Sequence, residues 1–180
     1  MPTTDSFPST TNASHFDNMK TNDGNVARIR DGQTVICSAF GDLSIPAGAT
    51  IDGIRIDLEG TAGSALHDTD VGHWIYVSND GGSSWSGPKS VSTEPWVVYG
   101  GTDAIESAGG ASELWGKSWN PPSAEAIQVK FEWSTTGGDA VYLDYVKVII
   151  TYTAAVVTPK TGMEFKTTNF TMIGGKLIIK

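Results

Sequence analysis

Apolar and polar residues alternate with a period of two along much of the chain, the spacing of strands that bury one face. The clearest case is residues 54–59, where Ile54, Ile56 and Leu58 interleave with Arg55, Asp57 and Glu59. Ile127, Val129, Phe131 and Trp133 alternate in the same way with Gln128, Lys130 and Glu132. In the longest such run, 141–153, Val146, Val148, Ile150 and Tyr152 share a face. Residues 33–40 and 73–78 read as further strands. Asn79-Asp80-Gly81-Gly82 supplies residues suited to a tight hairpin, and Gly41-Asp42 and Gly137-Gly138-Asp139 supply other turns. Residues 60–72 read as a loop, and so does the segment bracketed by Gly100-Gly101 and Gly109-Gly110. Residues 112–115 form at most one helical turn, and no window carries a sustained 3.6-residue apolar stripe. Short strands with glycine-rich turns predict an all-β chain folded as an antiparallel β-sandwich.

Polarity divides the chain into three parts. Residues 1–25 are rich in Pro, Thr and Asn and read as a polar N-terminal extension. Residues 26–153 hold the sandwich, and 154–180 hold a linker and a C-terminal β arm. The arm carries Met163, Phe165, Phe170, Met172, Ile173, Leu177, Ile178 and Ile179. So apolar a segment is expected to be covered, either as an extra hairpin on its own sandwich or by adding a strand to a neighbouring subunit.

Charge and composition narrow the function. With 20 acidic against 12 basic residues the formal net charge is −8, which argues against a nucleic-acid surface. Cys37 is the single cysteine, so an intramolecular disulfide is ruled out, and its apolar neighbours predict a buried thiol. The first 25 residues have no apolar core of a signal peptide, and no run is long enough for a membrane span. Any exit from a cell is therefore expected by another route, of which lysis with release of an assembled particle is one.

Candidate chemistry is sparse. Ser78, Asp80, Gly82 and Trp85 match an S-x-D-x-G-x-x-W Asp box, a hairpin device in which the Asp accepts turn N–H groups and the Trp packs beneath. A sialidase would need several such blades and a cluster of Arg, whereas Arg28, Arg30 and Arg55 are scattered. His67, Asp68, Asp70 and His73 place imidazoles and carboxylates at metal-ligand spacing, and Asp68, Asp70, Asp80 and Asp139 are loop carboxylates of the type that holds calcium. Unspecialised loop polarity is the favoured reading of both groups, and no cofactor is expected. There is no nucleophile elbow, P-loop or dinucleotide fingerprint, and Asp57 and Glu59 read as a solvated strand face, so no enzyme activity is expected. Trp74, Trp96, Trp115 and Trp119 are candidates for stacking on a sugar, with core packing the expected role of most.

Three stretches together resemble a known family: IPAGATIDGI at 45–54, the DGGSSW hairpin at 80–85, and LWGKSW at 114–119 with DYVKV at 144–148. They are similar to a jelly-roll-type β-sandwich domain of tailed-bacteriophage and prophage structural proteins, over about residues 38–153. The resemblance implies a jelly-roll sandwich, no catalytic residues and a place in a virion. It further implies a head decoration or minor capsid protein that docks on a major capsid or tail protein and self-associates, with a trimer as the expected state; the C-terminal arm lies outside the resemblance, and its part in docking or self-association is expected from its composition alone. A carbohydrate- or receptor-binding module of a tail fibre or bacterial surface protein is the alternative. Its mark would be two or more solvent-facing Trp or Tyr on one sheet face or loop rim.

Overall fold

The computed structural model describes residues 1–6, 10–11, 17–21, 23–62, 71–90, 104–135, 140–156, 170–173 and 176–179. Its strands are β1 (Thr3–Ser6), β2 (Thr10–Thr11), β3 (Ala27–Arg30), β4 (Thr34–Ser38), β5 (Thr50–Ala62), β6 (Val71–Ser78), β7 (Ala104–Gly109), β8 (Gln128–Thr135), β9 (Ala140–Thr153), β10 (Phe170–Ile173) and β11 (Lys176–Ile179). One short helix, α1 (Pro121–Glu125), precedes β8. All strand pairs among the described residues are antiparallel. One sheet runs β1-β9-β5-β7, with β3 on the same side of β9 as β1; the other runs β2-β4-β8-β6. The chain is an antiparallel β-sandwich of jelly-roll type.

Period-two alternation explains how each strand lies. Ile54, Ile56 and Leu58 of β5 and Val146, Val148 and Ile150 of β9 face Val35 and Cys37 of β4, Ile75 and Val77 of β6, and Val129, Phe131 and Trp133 of β8, all buried in one core. Phe131 and Trp133 stack with ring centres 6.3 Å apart. Cys37 is buried, and desolvation pushes its thiol up to about 12.

The sequence is less readable where the partner strand is far away in the chain. The glycine-bracketed segment read as a loop contains β7, which pairs with β5 from Arg55↔Gly109 to Gly60↔Ala104. Residues 1–25, read from composition as an extension ahead of the sandwich, supply strands to it: β1 pairs with β9 and β2 with β4. Met19 of this segment is completely buried. Asp144, also buried, accepts the backbone N–H groups of Asp23 and Gly24 at 3.4 and 3.3 Å and so fastens the segment to β9. β10 and β11 form a two-stranded sheet of their own. Among the described residues they pair with no strand of the sandwich.

The first two stretches behind the resemblance and the LWGKSW loop meet in space. The Ile54 carbonyl accepts both the Trp115 indole N–H and the Gly110 N–H at 3.0 Å, and the Ile54 N–H donates to the Glu113 carbonyl at 2.9 Å. Lys117 Nζ donates to Ser84 Oγ at 2.8 Å, and Asn79 Nδ2 donates to the Ser118 carbonyl at 2.7 Å, which staples the hairpin after β6 to the LWGKSW loop. Glu125 at the end of α1 accepts the N–H groups of Leu43 and Ile45, both at 3.0 Å, and anchors the IPAG turn. α1 itself starts on an Asn120–Ser123 capping box.

Candidate functional site

The outer face of the β4-β8-β6 sheet follows directly from the strand registers. Ile75 and Val77 point into the core, so Trp74 and Tyr76 of β6 point out, and Gln128, Lys130 and Glu132 of β8 do the same. Trp74 lies opposite Glu132, Tyr76 opposite Lys130, and Ser78 opposite Gln128. Across β8, Thr34 and Ile36 of β4 lie opposite Glu132 and Lys130. Trp74 is 39% exposed, while Tyr76 is half-buried.

The hairpin after β6 adds a third ring to this face. Ser78 Oγ donates to Asp80 Oδ1 at 2.7 Å and accepts the Gly82 N–H at 2.8 Å, and Asp80 Oδ1 accepts the Ser84 N–H at 2.9 Å. The hydrogen bonds from Ser84 and Ser78 hold the Asp80 carboxyl well below the usual carboxylate range. The chain then runs back beside β6, where Ser86 N–H donates to the Val77 carbonyl and Lys89 exchanges backbone hydrogen bonds with Ile75. This return carries Trp85 over β8: Lys130 Nζ lies 3.9 Å from the Tyr76 ring centre and 5.2 Å from that of Trp85. The same ammonium is 2.7 Å from Glu132 Oε1. Lys130, by its hydrogen bond first, holds the Glu132 carboxyl below its usual range, and burial followed by Glu132 raises the Tyr76 phenol.

Of the tryptophans singled out for stacking, Trp74 is on this face. Trp115 is buried, because its indole N–H is committed to Ile54 inside the fold, and Trp119 is half-buried with its N–H on the Leu114 carbonyl at 2.9 Å. Trp96 lies outside the described residues. Tyr76 and Trp85 were missed as face residues. The signal for Tyr76 was present, since a Trp-x-Tyr step between Ile75 and Val77 puts both rings on one side. For Trp85 the motif specifies a packed hairpin ring but not which sheet face it borders.

His67, Asp68, Asp70 and Asp139 lie outside the described residues, and of His73 only the backbone, in β6, is described. Among the described residues no group of three or more His, Cys, Asp or Glu is placed to hold a metal. Of the arm, Met163 and Phe165 lie outside the described residues, Phe170, Met172 and Ile173 fall in β10, and Leu177, Ile178 and Ile179 fall in β11. Asp57 differs from its reading as a solvated strand residue. It is 4% exposed, because Arg55 grips both its oxygens at 2.9 and 3.1 Å and Ser107 of β7 donates to it at 2.7 Å. The pair lies on the outer side of the opposite sheet, with the Asp57 carboxylate covered and the Arg55 side chain exposed. Nearby, burial and then the charges of Glu59, Asp57 and Asp144 push the Tyr145 phenol up to about 12.

The chain is similar to a solved xylan-binding module, CBM15, with 12% identity and a TM-score of 0.46, covering 83% of this chain and 96% of that one. No family model and no curated protein matches the chain.

Proposed function

We propose that this sandwich is a non-catalytic carbohydrate-binding module whose ligand lies on the outer face of the β4-β8-β6 sheet. The observation that carries the reading is the convergence of Trp74, Tyr76 and Trp85 around the Lys130–Glu132 pair. Aromatic rings bury the C–H faces of sugars, and fixed donors and acceptors beside them set orientation. Two aromatic residues that present one sheet face are the mark that separates a glycan-binding module from a purely structural sandwich. The test is affinity electrophoresis of the full chain in gels cast with soluble polysaccharides. Retardation of the wild type that disappears in Trp74→Ala and Tyr76→Ala, with unchanged melting temperatures, is the expected outcome; wild-type mobility unaffected by every polysaccharide overturns the reading.

A second reading, a virion structural subunit attached through its C-terminal arm, is favoured by a different observation. β10 and β11 pair only with each other among the described residues, and a lone two-stranded hairpin is marginally stable in water. A partner surface would stabilise it. Removing residues 161–180 is expected to leave a folded monomer that no longer self-associates or attaches to particles. Unchanged size-exclusion behaviour and particle binding would sink this second reading.

A further inference from the structure

The polar groups of the aromatic face specify the kind of glycan it takes; this inference rests on the carbohydrate-binding reading above. Among the described side chains, the outward positions of the three strands are Thr34, Ile36 and Ser38 on β4, Trp74, Tyr76 and Ser78 on β6, and Gln128, Lys130 and Glu132 on β8. They contain one cation and one anion, and those two are paired at 2.7 Å with side chains only 16% and 34% exposed. The ammonium is further committed to the rings of Tyr76 and Trp85. Among the described residues these outward positions therefore carry no net charge, on a chain of net charge −8.

We propose that the ligand is an uncharged polysaccharide, laid along β6 across Trp74 and Tyr76, with adjacent hydroxyls donating to Glu132 and accepting from Lys130. A hydroxyl can do this without separating the ion pair, because the ammonium has three donors and the carboxylate several acceptor sites. A uronate or sialate would have to compete with Glu132 for the ammonium, beside a carboxylate and within the field of an acidic chain. Ring spacing sets the length. Side chains two apart on one strand are separated by about 6.6 Å, so Trp74 and Tyr76 address successive units of a chain.

The experiment is isothermal titration of the full chain with two panels, cellohexaose, xylohexaose, mannohexaose and maltohexaose against hexagalacturonate and a hyaluronan hexasaccharide, each at 20 and 500 mM NaCl. Expected are a neutral hexasaccharide that binds at least tenfold tighter than either acidic one, and less than a twofold change in Kd between the two salts. Glu132→Gln, close in shape, is expected to weaken that binding about tenfold, the scale of one hydrogen bond to a charged group. Lys130→Met keeps the packed stem and serves as a second variant should Glu132→Gln fold poorly. Tighter binding of an acidic hexasaccharide that is lost in Trp74→Ala overturns the inference and leaves the carbohydrate reading standing. So does a tenfold loss of affinity at high salt. Absence of binding in both panels overturns the two together.

Discussion

Three glycines allow two costs of a methyl group, backbone strain and steric overlap, to be measured apart. Gly81, in the hairpin after β6, has φ +70°, and nothing lies within 4 Å of where a Cβ would be. Gly53 in β5 has no positive φ, but a Cβ there would sit 2.2 Å from the Ala111 carbonyl carbon and 2.4 Å from the carbonyl oxygens of Ala111 and Gly110. Gly109, the last residue of β7, combines the two: φ is +81° and the Cβ would lie 2.3 Å from the Ile54 oxygen and 2.9 Å from Trp115 Nε1. A left-handed backbone costs a residue with a Cβ about 1–2 kcal/mol, and overlap that moves packed backbone costs about 1–3 kcal/mol or somewhat more. Substitution by Ala is therefore expected to destabilise by about 1 kcal/mol at Gly81 and about 3 kcal/mol at Gly53. At Gly109 the two add to about 4 kcal/mol, and loss of the Trp115–Ile54 hydrogen bond brings the total to about 5 kcal/mol. Urea unfolding followed by tryptophan fluorescence, with a common denaturant slope, gives all three values. The reasoning is refuted if Gly53→Ala costs no more than Gly81→Ala, because the close approach of β5 to the 110–111 turn would then have no energetic weight.

Cys37 is expected to be silent to thiol reagents in the native protein and reactive in denaturant. Its folded value of about 12 lies above the ordinary 9.0, so its contribution is intact below pH 9 and is lost as pH rises toward 12. At pH 10.5 wild type should have lost about 2 kcal/mol that Cys37→Ala does not lose; parallel stability curves for the two proteins between pH 7 and 10.5 would contradict this. Asp80 runs the other way. Its depressed value means that its contribution is present at neutral pH and fades as pH falls below the usual carboxylate range. The stability gap between wild type and Asp80→Asn should therefore narrow from pH 6 to pH 2, and a constant gap would refute the hydrogen-bonded carboxylate as its source. Lys117→Met should loosen the hairpin and speed amide exchange at Gly82 and Ser84, while the exchange of β9 amides stays unchanged.

Much of the sandwich was readable because strand alternation is local. Ile54-Arg55-Ile56 and Val129-Lys130-Phe131 declare an inner and an outer face whatever they pair with, and the Asp80 hairpin closes on partners within four residues. β7 was not readable, because AIESAG has no apolar alternation of its own and becomes a strand through a partner about fifty residues away. Its Glu106 even lies half-buried on the core-facing side, where burial raises its carboxyl, a feature that discourages further strands from adding at this edge. Length kept α1 out of sight, since five residues show no helical period.

The candidate face divides along the same line. Trp74 and Tyr76 share a side of β6 by sequence alone, and so do Lys130 and Glu132 on β8. That the two pairs stand opposite one another is a matter of register, which depends on how the sheet assembles. Likewise, nothing near Trp115 in the chain distinguishes it from Trp74: one indole is buried and the other exposed because the Ile54 carbonyl, 61 residues away, accepts the first. The sequence by itself determined the alternating strands β5, β8 and β9, their inner and outer faces, and the Asp80 hairpin, since these depend on neighbours a few residues apart. Only the tertiary structure decided which rings and charges meet, because burial and pairing are set by contacts between distant parts of the chain.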